Sequence, residues 1–287
     1  MEPIRKQIFI FYLNKSFGFF STFFFLCKAY IYCKENNIDF YIEHLDWAYD
    51  GGNGWHYYFD SLSLFNGDKK IHNIITGSQG SPNIWHHFPK YKIKDYITCI
   101  NEIFMLKEMH YNEAINYINN VICDEYISIY VRRGDKCAEN KFINENTIIN
   151  TIKPKINDKI FIQTDDYTVI ENIQKLLPDN KIFYLIKNTK RGHYQSAGYI
   201  NMKNDQNIYK SQIIPFNNIN NKDLIREDTL ELLTGIVILT KAKNCWVDNR
   251  SNVGRFIKLY SPMNTYSYDN VSFKFDVEKQ CDPYLNL

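Results

Sequence analysis

The sequence predicts an α/β protein made of two domains, residues 1–122 and 123–287. Two observations lead to this class. Apolar runs of strand length alternate along the chain with longer segments of helical periodicity, the order expected for parallel sheets covered by helices. The chain has 287 residues, 45% of them hydrophobic, which is enough for one large hydrophobic core or two modest ones.

The amino-terminal domain opens with a predicted βαβ unit. Residues 17–33 are strongly apolar, but Lys28 interrupts them and they fall short of the roughly 20 residues that a membrane span needs. We therefore expect a buried helix, no signal peptide, no stable membrane span and a cytoplasmic location. The predicted elements are a strand over 8–13, a turn over 14–18, a helix over about 19–36 and a strand over 38–42.

Residues 43–68 form a loop-rich stretch that combines glycines, aromatic rings and carboxylates. Aromatic rings can stack on sugar faces and carboxylates can hold sugar hydroxyls, so the stretch has the composition of a surface that faces a carbohydrate. The alternative is an aromatic plug that packs the edge of the domain. The candidate carbohydrate-binding residues are Asp46, Trp55, Tyr58 and Asp60.

A helical segment over 94–120 closes the first domain, and alternating elements make up the second. The sequence from Asp228 to Glu231 has the form of a capping box, which predicts that a buried helix begins there and runs to about Lys243. Residues 187–221 form a long polar connection, of a length typical of lids or disordered loops. The other predicted elements are helices over about 145–156 and 167–177 and strands over 159–163, 181–185 and 245–247.

The segment 126–136 joins a buried strand to an abrupt charged end, Arg132-Arg-Gly-Asp-Lys136. Two adjacent guanidiniums are costly to bury without anionic partners, and open α/β sheets bind their ligands at the carboxyl ends of strands. A planar guanidinium with several donors suits phosphate oxygens. The segment is therefore a candidate diphosphate site, although a strand end with solvated charges is the alternative.

A second candidate anion site follows the strand 245–247. The backbone amides from about Ser251 to Gly254 and the Ser251 hydroxyl precede a predicted final helix, and helix amino termini bind phosphate readily. Arg250 or Arg255 would add positive charge. A plain helix cap is the alternative.

The composition argues against several functions. The formal net charge of +2 is unlike that of a general nucleic-acid binder, which would be strongly basic. The cysteines are odd in number (seven), scattered and without a Cys-x-x-Cys pair, so neither a zinc site nor a disulfide framework is predicted.

Three segments, in the same order, resemble motifs of the α1,2/α1,6/protein O-fucosyltransferase superfamily. Tyr126–Lys136 is similar to the His-x-Arg-Arg-x-Asp motif, above all to the His-Val-Arg-Arg-x-Asp-Lys form of α1,6-fucosyltransferases. Ile160–Asp166 is similar to the strand that ends in Thr-Asp-Asp, and Leu239–Arg255 to the helix–strand–Ser–helix element. The resemblance covers about half of the chain. It implies the GT-B architecture, two Rossmann-like domains facing across a cleft.

The resemblance implies that L-fucose is transferred from GDP-fucose to a hydroxyl of a glycan or glycoprotein, with inversion and without a metal ion or other cofactor. The chain has no Asp-x-Asp motif, which agrees with metal independence. Arg132 stands at the main phosphate-binding arginine, and Asp135 would orient it. Glu139 lies near the position of the proposed general base, for which Asp46 and Asp60 are alternatives. The other expected donor-binding residues are Tyr130, Arg133, Lys136, Asp165, Asp166, Ser251, Asn252 and Arg255.

Two positions depart from this family pattern. Tyr130 replaces the histidine of the motif, and Gly235 aligns with an aspartate that contacts guanine in relatives. Asp165 and Asp166 could compensate by contacting the base or the ribose. The departures leave two alternatives open, a transferase that uses another nucleotide sugar and a relative that binds nucleotides or glycans without catalysis.

Overall fold

The computed structural model describes residues 7–14, 18–44, 47–50, 52, 54–67, 73–78, 88–133, 142–190 and 222–269. The chain divides into two compact units, and among the described residues the division falls between Lys107 and Glu108. Each unit holds one parallel sheet with helices, so the predicted α/β class is confirmed.

The first unit contains a four-stranded sheet in the order β3-β2-β1-β4 with every neighbouring pair parallel. The predicted βαβ unit is present, with boundaries that differ from the prediction by about one residue. The two strands β3 and β4 were not predicted, because they are short and lie among loops. The elements are β1 (Gln7–Tyr12), α1 (Phe19–Glu35), β2 (Asp39–Glu43), α2 (Trp55–Tyr58), β3 (Ser63–Leu64), β4 (Asn73–Gly77) and α3 (Ile93–Ile103).

Helix α1 is the apolar segment that could be mistaken for a membrane signal. Most of its residues are buried, including Phe23, Phe24 and Leu26, because helix α3 packs on it in addition to the sheet. Lys34, at its exposed last turn, pairs with Glu102 of α3. Among the helices that the structure describes, none is long and apolar enough to cross a membrane.

The second unit contains a five-stranded sheet in the order β7-β6-β5-β8-β9, again with parallel neighbours. The strand order reverses between β5 and β8, and open α/β sheets bind ligands at such a reversal, outside the carboxyl ends of the strands. The elements are α4 (Glu108–Tyr117), a π-helical turn (Ile118–Ile122), β5 (Ile127–Val131), α5 (Glu145–Ile152), β6 (Lys159–Thr164), α6 (Tyr167–Leu176), β7 (Lys181–Phe183), α7 (Lys222–Lys241), β8 (Asn244–Val247), α8 (Asn252–Tyr260) and β9 (Thr265–Ser267).

The two faces of this sheet are covered by different helices. Ile129 and Val131 of β5 and Ile162 of β6 pack in one hydrophobic cluster with residues of α5 and α6. The alternate residues face α7, since the Ser128 hydroxyl donates a 2.9 Å hydrogen bond to the Leu239 carbonyl. Successive side chains of a strand point to opposite faces. Tyr130 therefore also lies on the α7 face of the sheet.

The predicted helix over 94–120 is instead two helices, α3 and α4. The chain breaks between them because Asp60 and Lys107 make backbone hydrogen bonds with Met105 and Tyr58, at 2.9 Å each. Helix α4 then packs on α7 of the second unit. The first unit ends at Lys107, whereas the predicted domain boundary follows residue 122.

The predicted start of helix α7 was wrong. The helix begins at Lys222, so Asp228 and Glu231 lie inside it and do not form a capping box. Their carboxylates instead bind the Lys190 ammonium at 2.6 and 3.0 Å. The two acidic residues thus have the spacing of a capping box but bind a lysine from another part of the chain.

Candidate functional site

Arg133 is a buried structural arginine. It is 6% exposed, and its Nη2 donates to the Ile143 carbonyl at 2.9 Å and to Glu145 Oε1 at 2.7 Å. Its guanidinium carbon lies 4.9 Å from the centroid of the Phe142 ring. These contacts hold the start of α5 against the end of β5. The guanidinium therefore lies on the α5 face of the sheet, where it is bonded within the protein.

Arg132 occupies the opposite face at the same strand end. It continues the alternation of Ser128 and Tyr130 by one residue, which directs it to the α7 face. Its Nη1 forms an ion pair with Asp165, and the two side chains are 23% and 21% exposed. The pair lies at the carboxyl edge of the sheet, beside the reversal of strand order. Of the two adjacent arginines, Arg132 is therefore the one placed to meet a ligand at this edge.

Asp165 and Asp166 follow β6 and have separate roles. Asp165 binds the Arg132 side chain and also accepts a 2.7 Å hydrogen bond from the Arg133 backbone N–H. It thereby orients Arg132, the role that the resemblance assigned to Asp135. Asp166 is 2% exposed and caps α6, accepting a 2.9 Å hydrogen bond from the Thr168 backbone N–H.

The loop after β8 is organised by an Asp–Arg pair. Arg250 Nε and Nη2 donate to the two Asp248 oxygens at 2.8 and 2.7 Å, and its backbone N–H adds a third bond at 2.9 Å. Burial by itself raises the pKa of Asp248, but the hydrogen bonds from Arg250 outweigh it and hold that pKa below its ordinary value. The carboxylate therefore stays ionised and fixes the loop beside the end of β5.

Ser251 is the amino-terminal cap of α8. Its Oγ accepts from the Gly254 backbone N–H at 2.9 Å and donates to the Asp248 carbonyl at 3.0 Å. Arg255 Nε donates to the Asn249 carbonyl at 2.7 Å, and its Nη1 donates to Asn252 Oδ1 at 3.0 Å. The first N–H groups of a helix have no intrahelical acceptor, so this terminus can accept an anion while the Ser251 hydroxyl serves as the cap.

Gly254 lets α8 approach this loop closely. A Cβ atom at position 254 would lie 2.1 Å from the backbone oxygen of Asp248. We expect Gly254→Ala to lower the free energy of unfolding by about 1–3 kcal/mol, because backbone must move to relieve the overlap. Urea denaturation checks this. Gly18→Ala is the matched control, since its nearest neighbour, Tyr49 Oη, is 4.0 Å away. Equal stability of the Gly254 variant and the parent would contradict the close approach.

The acceptor-side candidates lie in the first unit. Trp55 and Tyr58 are 1% and 0% exposed and belong to an aromatic cluster, in which Trp55 stacks on Phe59 with ring centroids 4.3 Å apart. Their polar atoms are bonded to the backbone, Trp55 Nε1 to Ser61 at 2.9 Å and Tyr58 Oη to Tyr49 at 3.0 Å. The two rings therefore pack the edge of the domain, as in the aromatic plug that was the alternative to a carbohydrate-facing surface. Asp60, in contrast, is exposed.

Four predicted residues lie outside the described part of the chain. They are Asp46, Asp135, Lys136 and Glu139.

A metal or disulfide centre is not seen among the described residues. No group of three or more of their His, Cys, Asp and Glu side chains is placed to hold a metal ion. In the same part of the chain, no disulfide bond is formed by Cys27, Cys33, Cys99, Cys123 or Cys245.

The structure also identifies polar residues that the sequence did not single out. Glu145 neutralises Arg133, and Gln163 of β6 is buried against α7. Glu145 stands in a helix first turn, where acidic residues are common, so nothing local marks it as an arginine partner. A polar residue within an otherwise apolar strand was a signal for Gln163.

Comparison with known proteins supports the fold. No protein-family model matches the chain, and no curated protein matches it in sequence. Among solved structures, the fucosyltransferase NodZ from Bradyrhizobium is similar, with a TM-score of 0.56 and 13% identity over 92% of this chain and 96% of NodZ. NodZ α-1,6-fucosyltransferase soaked with GDP-fucose has the same TM-score and identity, over 90% of this chain and 94% of that one.

A plant protein is also similar in fold, with a lower TM-score and lower identity. A variant of Arabidopsis thaliana FUT1 in complex with GDP has a TM-score of 0.51 and 7% identity, over 93% of this chain and 71% of FUT1. The chain has the GT-B fold of these proteins, as the resemblance implied.

Proposed function

We propose that this protein is an inverting glycosyltransferase that transfers L-fucose from GDP-fucose to a hydroxyl of a glycan or protein, without a metal ion. The observation that carries the proposal is the position of Arg132. A guanidinium held by Asp165 lies at the carboxyl edge of the β7-β6-β5-β8-β9 sheet, next to the reversal of strand order. Solved structures that share this fold include a fucosyltransferase soaked with GDP-fucose and a protein bound to GDP.

The proposed chemistry assigns one task to each region. As the bond between the fucose anomeric carbon and the diphosphate breaks, negative charge develops on the diphosphate, and Arg132 stabilises it. The amino terminus of α8, reached from the loop that Asp248 and Arg250 hold, contributes backbone N–H groups to the same anion. The acceptor hydroxyl attacks the opposite face of the anomeric carbon, and its proton passes to a carboxylate. Glu139 is the proposed base, with Asp60 or Asp46 as alternatives.

Several residues that were expected to bind the donor or the acceptor have supporting roles in this proposal. Arg133 and Asp166 support the site from within, since their polar atoms are bonded inside the protein. Lys136 is proposed to contact the donor. Trp55 and Tyr58 support the surface on which Asp60 would meet the acceptor.

A nucleotide melting assay tests the proposal. A ligand at 100 times its dissociation constant stabilises the folded state by about 2.7 kcal/mol, which corresponds to a shift of about 5 °C in a protein of this size. We expect GDP to raise the melting temperature more than UDP, CDP or ADP. Arg132→Ala should abolish the shift, whereas Arg226→Ala, which removes a surface arginine, should retain it. A melting temperature unmoved by every nucleotide at millimolar concentration would refute the proposal.

Activity should persist in excess EDTA. The reason is that Arg132 and the α8 terminus supply the positive charge that a divalent cation supplies in metal-dependent transferases. The measurement is release of GDP from GDP-fucose in the presence of acceptor, with and without the chelator. Loss of turnover that Mn²⁺ or Mg²⁺ restores would assign the protein to a metal-dependent class.

A transferase for a different nucleotide sugar is the second candidate. The specific observation in its favour is a pair of departures from the family pattern, Tyr130 in place of the motif histidine and Gly235 in place of an aspartate that contacts guanine in relatives. The same melting assay separates the candidates, because a larger shift with UDP than with GDP would retain the transferase and remove the fucose assignment.

A further inference from the structure

Gln163 carries a buried amide whose oxygen lacks a hydrogen-bond partner in the described part of the chain. The residue is 5% exposed. Its Nε2 donates a long hydrogen bond of 3.5 Å to the Glu231 carbonyl, while its Oε1 accepts none. A buried acceptor without a donor destabilises the folded state. Such a group in a ligand-binding region points to a donor supplied by the ligand.

Gly235 of α7 makes room for this amide. A Cβ atom at position 235 would lie 2.1 Å from Gln163 Oε1 and 2.4 Å from its Cδ. A side chain at 235 and the Gln163 amide therefore exclude one another from this space. Tyr130 is the register partner of Gln163 on the neighbouring strand. The two positions that depart from the family pattern, Tyr130 and Gly235, are thus both neighbours of Gln163.

Gln163 is also well placed relative to Arg132. It is the last residue but one of β6, and its side chain contacts α7, so it shares a face of the sheet with Arg132. From the spacing of neighbouring strands and the rise per residue, the two Cα atoms are roughly 8 Å apart. A nucleoside is long enough to span that separation. A nucleotide with its diphosphate on Arg132 can therefore bring the edge of its base to the Gln163 amide.

We propose that Gln163 determines base specificity, by accepting a hydrogen bond from an N–H of the nucleotide base at its Oε1. The inference rests on the proposed nucleotide-sugar function. The bond satisfies an acceptor that has no donor in the described part of the chain, so base binding also removes a penalty. The amide lies at the end of a flexible side chain and can turn from the space over Gly235 toward the base. The amide offers one oxygen atom and so pairs side by side with one base N–H, whereas the two oxygens of a carboxylate can pair with two.

Titration calorimetry on the full chain with GDP, IDP and inorganic pyrophosphate tests this assignment. Gln163→Met keeps the volume of the side chain and removes the acceptor. We expect it to weaken GDP and IDP binding about tenfold, the effect of one neutral hydrogen bond, and to leave pyrophosphate binding unchanged. Its melting temperature should not fall, since an unpaired acceptor is lost. Gln174→Met, the same change on the exposed face of α6, is the control and should alter nothing.

The Gln163→Glu variant tests how many N–H groups of the nucleotide base the side chain at position 163 binds. A carboxylate can accept from both N1–H and the 2-amino group of guanine, whereas IDP lacks that amino group. We expect this variant to favour GDP over IDP about tenfold more than the parent does.

The outcomes separate the inference from the proposed function. If Gln163→Met binds GDP as the parent does, or if it weakens pyrophosphate equally, Gln163 does not recognise the base and the inference is overturned while the transferase stands. If the parent protein binds neither GDP nor pyrophosphate, the proposed function itself fails.

Discussion

Replacing Arg132 by Ala is expected to reduce fucosyl transfer about 10²–10³-fold, the usual effect of removing a main electrostatic contact to a transition state. The guanidinium lies partly exposed at the sheet edge and is held there by Asp165. Its loss removes charge from the departing diphosphate and little from the hydrophobic core. Arg132→Lys should also be poor, because one ammonium does not reproduce the planar fork of donors. The measurement is the rate of GDP release at saturating donor and acceptor.

Folding must be separated from catalysis in this experiment. Circular dichroism and the melting temperature of the Arg132 variants should stay near those of the parent. Arg226→Ala serves as the matched arginine control, since Arg226 is a half-exposed helix residue paired with Asp223. Near-normal turnover by a correctly folded Arg132→Ala protein would remove Arg132 from the mechanism and, with it, the observation that carries the proposed function.

Replacing the neighbouring Arg133 by Met is expected to act on stability, with a loss of about 3–5 kcal/mol in the free energy of unfolding. The substitution leaves the Glu145 carboxylate, 15% exposed, without its cation. It also removes the bond to the Ile143 carbonyl and the contact with the Phe142 ring. Urea denaturation measures the change. Adjacent arginines should therefore give opposite phenotypes, one catalytic and one structural.

A double substitution checks the cause of that loss. In Arg133→Met with Glu145→Met, the buried charges are removed together, and apolar side chains of similar length replace them. We expect the double variant to regain a large part of the stability, because replacing a whole buried ion pair is often neutral while breaking one is costly. If Arg133→Met alone is as stable as the parent, Arg133 is not the structural arginine that its contacts indicate.

The order of elements and the position of the arginine pair at the end of β5 were predictable from local pattern. Ile127, Ile129 and Val131 alternate with Ser128 and Tyr130, and this period of two marks a strand wherever it occurs. Most predicted strands and helices of the second unit lie within a few residues of the observed ones. The same period also implies that Arg132 and Arg133 point to opposite faces of the sheet. It does not say which face is filled with protein and which can meet a ligand.

Two predictions from local sequence were wrong at places where residues far apart in the chain make contact. Asp228 and Glu231 have the spacing of a capping box, yet α7 already begins at Lys222, and both carboxylates bind Lys190 from another part of the chain. The helix predicted over 94–120 contains no strong breaker, and it is interrupted because backbone groups near Met105 pair with the segment around Tyr58.

The sequence by itself determined the class of fold, the strand that carries the arginine pair and the loop before the last helix, because each depends on periodicity or on residues adjacent in the chain. Only the tertiary structure decided that Asp165 orients Arg132, that Glu145 neutralises Arg133, and that the Gln163 amide takes the space a side chain at Gly235 would fill. These are pairings between residues far apart in sequence. Their energies come from distance, burial and excluded volume, and those quantities exist only once the strands and helices have been brought together.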